Sequence, residues 1–428
     1  MKFNKICVLG LGYIGLPTAS TFANKGIEVV GVDVNPHVIA SLQKGQIHIH
    51  EPGLQTLVQD SFQAGKFIVK TSPEEADAFI IAVPTPFYDD KRADMRFVVS
   101  AAESILPVLK PGNLVVLEST SPPLTTKNLV APILERSGLK AGVDFYLAYT
   151  PERVLPGQII RELVENARVI GGISPESTRA GKELYSIFVK GDIIETDATT
   201  AEMVKLMENT YRDINIAVAN EFSRLADHFG VDIWEAIPIA NLHPRVKILS
   251  PGPGVGGHCI SVDPWFFVEA APELSPLIKT GRQVNDSQPH FVVELVKRAL
   301  GGNLKGRRVA ALGLSYKADV DDMRESPGVE AVHLLTHEGA LVKSYDPFYK
   351  PVMGLDETHP STDLKLTLSD AELILVLVGH SEFKNFTPEF ISSLAPARLV
   401  VDSSHILDRN TWISAGFKLV TLGNGKDR

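Results

Sequence analysis

Residues 5–33, KICVLGLGYIGLPTASTFANKGIEVVGVD, constrain this chain more than any other stretch. An apolar run leads into the turn Gly10-Leu11-Gly12-Tyr13-Ile14-Gly15, a helical pattern carries on through Thr18 to Lys25, and a second apolar run ends at Asp33. That is strand, helix, strand at βαβ spacing. Glycines at 10, 12 and 15 permit a tight turn, the approach of backbone to a pyrophosphate, and close packing of helix on strand. The helix N-terminus turns N–H groups toward phosphate oxygens. Asp33 stands eighteen residues after Gly15, where an acid accepts hydrogen bonds from a ribose diol and repels a 2′-phosphate. The prediction is a dinucleotide site for NAD rather than NADP.

The α/β alternation continues. Apolar strand candidates follow at 77–83, 113–120, 144–152 and 167–172, making a first half with a parallel sheet. Residues 199–229 contain no proline or glycine and repeat apolar side chains at helical spacing. They predict one long helix of ~45 Å, suited to packing on a second copy of itself. A second α/β unit opens at GRRVAALG (306–313), with strands expected at 340–346, 372–379, 398–402 and 417–423. The expected fold is therefore α/β, with two Rossmann-like parallel-sheet domains joined by a long central helix. At Gly313-Leu314-Ser315-Tyr316-Lys317-Ala318 the second unit lacks the later glycines of a full dinucleotide turn. Tyr316 could still stack on a base and Lys317 pair with phosphate.

Composition narrows the partners. A net charge of −9 argues against nucleic acid and anionic membrane, which need a broad basic footprint. No stretch reaches the ~18–20 continuous apolar residues of a membrane span. With only two cysteines, and Cys7 inside a strand pattern, a reducing cytoplasm without disulfides is expected.

The other cysteine, Cys259, follows the glycine run PGPGVGGHCISVDPW (251–265). Glycines 252, 254, 256 and 257 read as leaving backbone amides open to a ligand within reach of the thiol. A helix beginning in ISVDPW would favour the thiolate. Beside bound NAD, a thiolate adds to an aldehyde to give a thiohemiacetal, which is oxidised to a thioester and hydrolysed to a carboxylate. An inert buried cysteine is the plain alternative. Lys205 and Asn209, four apart on the long helix, share a face on which ammonium and carboxamide could stabilise an oxyanion. His258 next to Cys259 is expected to point away from it, as adjacent side chains generally do. His48-Ile49-His50 has no carboxylate or thiol cluster around it and reads as a loop, and no metal is expected.

In order along the chain, GLGYIGLP (10–17), AVPTP (82–86), ESTSPP (118–123), TPERVLPG (150–157), AEMVKLMEN (201–209), GPGVGGHCISVDP (252–264) and SYKADVDDMRESP (315–327) resemble the UDP-glucose/GDP-mannose dehydrogenase family. The resemblance implies an NAD-binding domain over 1–198, a central helical dimerisation region with the cysteine loop over 199–300, and a nucleotide-sugar-binding domain over 301–428. It implies twofold oxidation of a sugar C6 hydroxyl by a homodimer. Cys259 would be the nucleophile, Lys205 and Asn209 would stabilise the oxyanion, and Asp263 would assist proton transfer or orient water. Glu152 would be the base for thioester hydrolysis, and Thr120 would hold water or cofactor. Tyr13, Ile14, Asp33, Thr85, Thr120 and Arg324 would surround NAD. Arg153, Val154, Arg212, His243, Arg245, Gly256, Tyr316 and Lys317 would join Lys205 and Asn209 around the nucleotide sugar.

His258 and Val262 stand where UDP-glucose enzymes of the family carry serine and lysine. The implied substrate is a UDP-N-acetylhexosamine, manno-configured first and gluco-configured as the near rival. Outside that reading stand a two-electron hydroxyacid-type dehydrogenase and a non-catalytic nucleotide-sugar sensor.

Overall fold

The computed structural model describes residues 2–49, 51–155, 157–349 and 360–427. The chain divides into two compact units, 1–208 with 265–272, and 209–264 with 273–428.

In the first unit, eight strands form one sheet: β1 (Lys5–Leu9), β2 (Glu28–Val32), β3 (Phe67–Lys70), β4 (Ala78–Ile81), β5 (Leu114–Leu117), β6 (Tyr146–Tyr149), β7 (Arg168–Gly172) and β8 (Ile193–Asp197). Their order, β3-β2-β1-β4-β5-β6-β7-β8, contains the 3-2-1-4-5-6 order of dinucleotide-binding folds. β4 and β5 are wholly buried, as strands covered on both faces must be. Separate hydrophobic clusters cover the two faces, one around Ile6, Leu16 and Phe22, the other around Cys7, Ile81 and Leu117. Two strands escaped the sequence reading. Both β3 and β8 are edge strands whose apolar runs are short, three residues at Phe67–Val69 in β3 and two at Ile193 and Ile194 in β8.

The sheet is not parallel throughout. β7 runs antiparallel to β6, with Ala148 opposite Gly172 and Tyr149 opposite Gly171, and β8 runs parallel to β7. The reversal carries Arg168, the first residue of β7, to the C-terminal end of β6.

The second unit holds a five-stranded parallel sheet: β9 (Arg308–Leu312), β10 (Leu341–Tyr345), β11 (Leu373–Val376), β12 (Leu399–Asp402) and β13 (Lys418–Thr421). Its order is β10-β9-β11-β12-β13, which reverses between β9 and β11. The long helix spans Ala198–Phe229.

Candidate active site

In the first unit the cofactor turn follows β1. Gly10 adopts a left-handed φ of +91°, and a Cβ there would lie 2.4 Å from the Ala82 carbonyl oxygen beyond β4. A Cβ at Gly15 would lie 1.8 Å from the Gly10 carbonyl oxygen. Both glycines are demanded by the protein's own packing. Gly12 is different, because a Cβ there would meet nothing within 4 Å. Its bareness serves space above the loop, where a ligand would approach the backbone. The helix Gly15–Asn24 starts beside it with no side-chain cap on its N-terminus, which leaves the dipole's positive end to an anion. Asp33 ends the neighbouring strand, its Oδ2 accepting from the Leu11 N–H at 3.0 Å and its Oδ1 from the Asn35 N–H at 2.8 Å. These residues fit an NAD cofactor: the turn and Ile14 would hold its pyrophosphate, and Asp33 would accept from a ribose hydroxyl. Tyr13 and Ile14 are half-buried on the turn, and Thr85 and Thr120 are half-buried beyond the C-terminal ends of β4 and β5.

Beyond β6 come Glu152, Arg153 and Val154. Arg153 pairs with Glu208 at 2.7 Å and also donates to the Ala167 carbonyl. Glu152 is bound by the buried Arg168, which reaches Glu118 as well. Neither Glu118 nor Arg168 was singled out by the sequence reading. One lies in a recognised motif without an assigned role, and the other looks like an ordinary strand residue until β7 reverses.

In the second unit Cys259 is exposed at the end of the glycine run. Its carbonyl accepts from the N–H groups of Val262 at 3.1 Å and Asp263 at 2.9 Å, forming the turn that enters the helix Asp263–Ala270. Asp263, buried, accepts from Asn209 Nδ2 at 2.5 Å. One amide hydrogen of Asn209 is thereby committed to Asp263 instead of facing an oxyanion. Lys205 lies one turn earlier on the long helix and is half-buried. The Cys7 thiol, by contrast, is sealed in the first unit's core, and burial pushes its pKa up to about 12. It is inert, and Cys259 is the accessible thiol.

The glycine run does something other than expected. The Gly252 N–H donates to Asn220 Oδ1 at 2.9 Å, and the Gly257 N–H to the Arg324 carbonyl at 3.0 Å. A Cβ at Gly254 would strike Pro327 at 2.9 Å, one at Gly256 the Glu325 carbonyl at 2.3 Å, and one at Gly257 the Tyr316 ring at 2.8 Å. The glycines let the cysteine loop lie flush against residues 316–327. The expectation of open amides therefore fails at 252 and 257, which already have partners.

His258 does not point away either. Its Nδ1 lies 3.2 Å from Arg324 Nη2 and 3.6 Å from Asp322 Oδ2, and Arg324 and Asp322 pair at 2.6 Å. Hydrogen bonds to Asp322 and then to the Cys259 thiol push the imidazole up to about 9, against the opposing effect of burial. Burial disfavours ionised Asp322, but the bonds from His258 and Arg324 outweigh it and hold its carboxyl well below the carboxylate range.

Tyr316 packs on this loop, and Lys317 and Arg324 are exposed on the same segment. Arg212, on the long helix, is exposed. His243 and Arg245 sit apart on an exposed segment closed by paired hydrogen bonds between Asn241 and Ile248. Among the described residues no cluster of three His, Cys, Asp or Glu could hold a metal, and no helix is long and apolar enough to cross a membrane. His50 lies outside the described residues.

Comparison with known proteins identifies the family. Three models of the UDP-glucose/GDP-mannose dehydrogenase family match: the NAD binding domain at residues 4–189, the central domain at 199–287 and the UDP binding domain at 310–409. The chain is 48% identical over 433 residues to a UDP-N-acetyl-D-mannosamine dehydrogenase of Methanococcus maripaludis, covering 98% of this chain and 97% of that one. It is 47% identical over 411 residues to an NDP-N-acetyl-D-galactosaminuronic acid dehydrogenase of Ralstonia solanacearum, covering 94% and 96%. A solved UDP-D-ManNAc dehydrogenase from Pyrococcus horikoshii is similar with a TM-score of 0.92 at 41% identity, covering 99% of this chain and 100% of the other. With its NAD turn, its exposed thiol and these matches along its length, the chain belongs to the UDP-glucose/GDP-mannose dehydrogenase family and is an NAD-dependent UDP-sugar dehydrogenase.

Proposed function

We propose that this enzyme oxidises the C6 hydroxyl of UDP-N-acetyl-D-mannosamine to the carboxylate, through a thiohemiacetal and a thioester on Cys259. One observation carries the reading: the accessible thiol heads a helix whose first residue, Asp263, is anchored by Asn209. NAD supplies the hydride acceptor, and two molecules are consumed per sugar. Cys259 captures the C6 aldehyde, so that no free aldehyde escapes between the two oxidations. Lys205, one turn from Asn209, steadies the negative charge on oxygen in each tetrahedral species. Asp263 relays protons, Thr120 holds water or cofactor, and Glu152 takes the proton of the water that releases the acid.

Arg153, Val154, Arg212, His243, Arg245, Gly256, Tyr316 and Lys317 bind the nucleotide sugar, and Arg324 reaches the cofactor. Residues 1–198 serve NAD, 199–300 dimerisation and the nucleophile, and 301–428 the nucleotide. The dimer uses the long helix, on which Met203, Met207, Tyr211, Val218, Phe222, Leu225 and Phe229 form an exposed apolar stripe at helical spacing. The enzyme works in the cytoplasm, and its uronate product enters a surface polysaccharide.

The test offers the protein NAD⁺ with UDP-N-acetylmannosamine, UDP-N-acetylglucosamine, UDP-N-acetylgalactosamine or UDP-glucose, and counts NADH per sugar. Two NADH with the mannosamine substrate, and much less turnover with the others, is the expected result. One NADH per sugar would point to a two-electron dehydrogenase, and tight binding without reduction to a sensor. Cys259→Ala should abolish acid formation; uronate made at the wild-type rate would refute the covalent route.

A further inference from the structure

Arg168 opens β7 with its side chain 4% exposed, between two carboxylates. Its Nη1 lies 3.0 Å from Glu118 Oε1, and its Nη2 donates to Glu152 Oε2. Glu118 is fully enclosed, while Glu152 is 8% exposed and borders a cleft with Pro151, Arg153 and Glu162. The Tyr185 hydroxyl donates to Glu118 Oε1 at 3.1 Å, and Thr18 Oγ1 lies 3.5 Å from Oε2. The second oxygen of Glu152 accepts the Arg153 N–H at 2.8 Å. The guanidinium also lies 4.4 Å from the Tyr185 ring centroid, which fixes its plane.

One cation shared by two buried carboxylates leaves a surplus negative charge in a dry place. The proton that relieves it belongs on the carboxylate with less access to water. Burial, reinforced by Glu152 and opposed by Arg168, pushes Glu118 up to about 7. Above that value the Glu118 carboxylate shares the guanidinium with Glu152.

We propose that Arg168 and Glu118 are positioning residues for Glu152: the Glu118 carboxylate anchors the buried guanidinium, and the guanidinium fixes one oxygen of Glu152 so that the other is presented as a base. The inference rests on the reading that Glu152 serves thioester hydrolysis. In that step the water oxygen bonds to the acyl carbon as a water proton passes to Glu152. The C–S bond then breaks with its electron pair going to the Cys259 sulfur, and no atom changes oxidation state.

The test follows the acyl adduct on Cys259 by intact-protein mass spectrometry during a single turnover, across pH, with NADH recorded alongside. Glu152→Gln should accumulate the adduct. If this variant hydrolyses it at the wild-type rate, the reading of Glu152 fails, and the inference with it. Glu118→Gln removes the charged anchor of the guanidinium. The first NADH should form as in wild type and adduct decay at about pH 8 should slow about tenfold, whereas below about pH 6, where the wild-type Glu118 carboxyl is itself protonated, variant and wild type should converge. A Glu118→Gln protein with a lowered melting temperature but wild-type decay at about pH 8 would make the pair purely structural and overturn the inference, while leaving Glu152 as the base. Should Glu118→Gln not fold, Arg168→Lys, which cannot hold both carboxylates at once, takes its place: decay about tenfold slower supports the inference, and unchanged decay overturns it.

Discussion

The two α/β units place an aspartate at the same point of the same motif and use it oppositely. Each sheet opens with a strand, a left-handed glycine pressed against the end of the next strand across the switch point, and an acid beyond the second strand. Gly10 meets Ala82 in one unit, and Gly313 meets Val378 in the other. Asp33 is half-buried and holds two local amides, so it keeps lone pairs toward the open side of the loop. Asp346 is fully buried. Its Oδ2 accepts from the N–H groups of Leu314 at 2.7 Å and Ser315 at 2.9 Å and from the Ser315 hydroxyl at 2.9 Å, and lies 3.2 Å from His380 Nε2. One acid stays partly open to solvent, as the proposed ribose contact requires, and the other is part of the scaffold that shapes the Tyr316-Lys317 loop. Duplicated topology therefore does not imply a duplicated ligand, because the side chains around the acid decide what it can still bind.

The most severe way to break the comparison is Asp346→Ala. It strands several buried donors, and should cost about 3–5 kcal/mol in denaturant unfolding of the second unit. Burial opposes ionisation of Asp346, but its hydrogen bonds, His380's foremost, hold its carboxyl below the ordinary value. Its stabilising contribution is therefore complete above the unfolded carboxyl's pKa and lost as pH falls through the folded one. An acid melt should show this loss in wild type and not in the variant.

The glycines sharpen the contrast next. Gly15→Ala should destabilise by about 2–3 kcal/mol, because its methyl meets backbone. Gly12→Ala should melt like wild type yet bind NAD about tenfold or more weakly in a fluorescence titration. Equal melting losses for both would remove the argument that Gly12 is kept bare for a ligand.

Asp33→Asn should leave stability within about 1 kcal/mol, raise KM for NAD about tenfold and narrow the preference over NADP. A smaller effect is expected of His258→Gln, which removes a cation beside the nucleophile. Iodoacetamide labelling of Cys259 at pH 7 should slow about threefold, read without interference because Cys7 is buried. Unchanged labelling would mean that the imidazole answers only to Asp322 and Arg324.

Much of this was legible in advance. The strands at 5–9, 28–32 and 308–312 and the helix at 198–229 declare themselves through long apolar or periodic runs. The edge strands β3 and β8 do not, because their apolar runs are only three and two residues long. At the site, Gly10, Gly15 and Asp33 were readable from spacing, since a local turn imposes local residues. Glu118 and Arg168 were not, since fifty residues separate them and only the reversal of β7 brings them together. The packing role of the glycines before Cys259 is not legible locally, because the segment they pack against begins some sixty residues later.

The sequence by itself determined the βαβ start, its bare backbone and acid, the unbroken helix, and which thiol follows a glycine run, because these depend on residues within a few turns of one another. Tertiary structure alone decided which glycines answer to packing, which aspartate is enclosed, and which guanidinium binds Glu152. Burial and charge pairing are set by distances across the fold, and no local pattern encodes them.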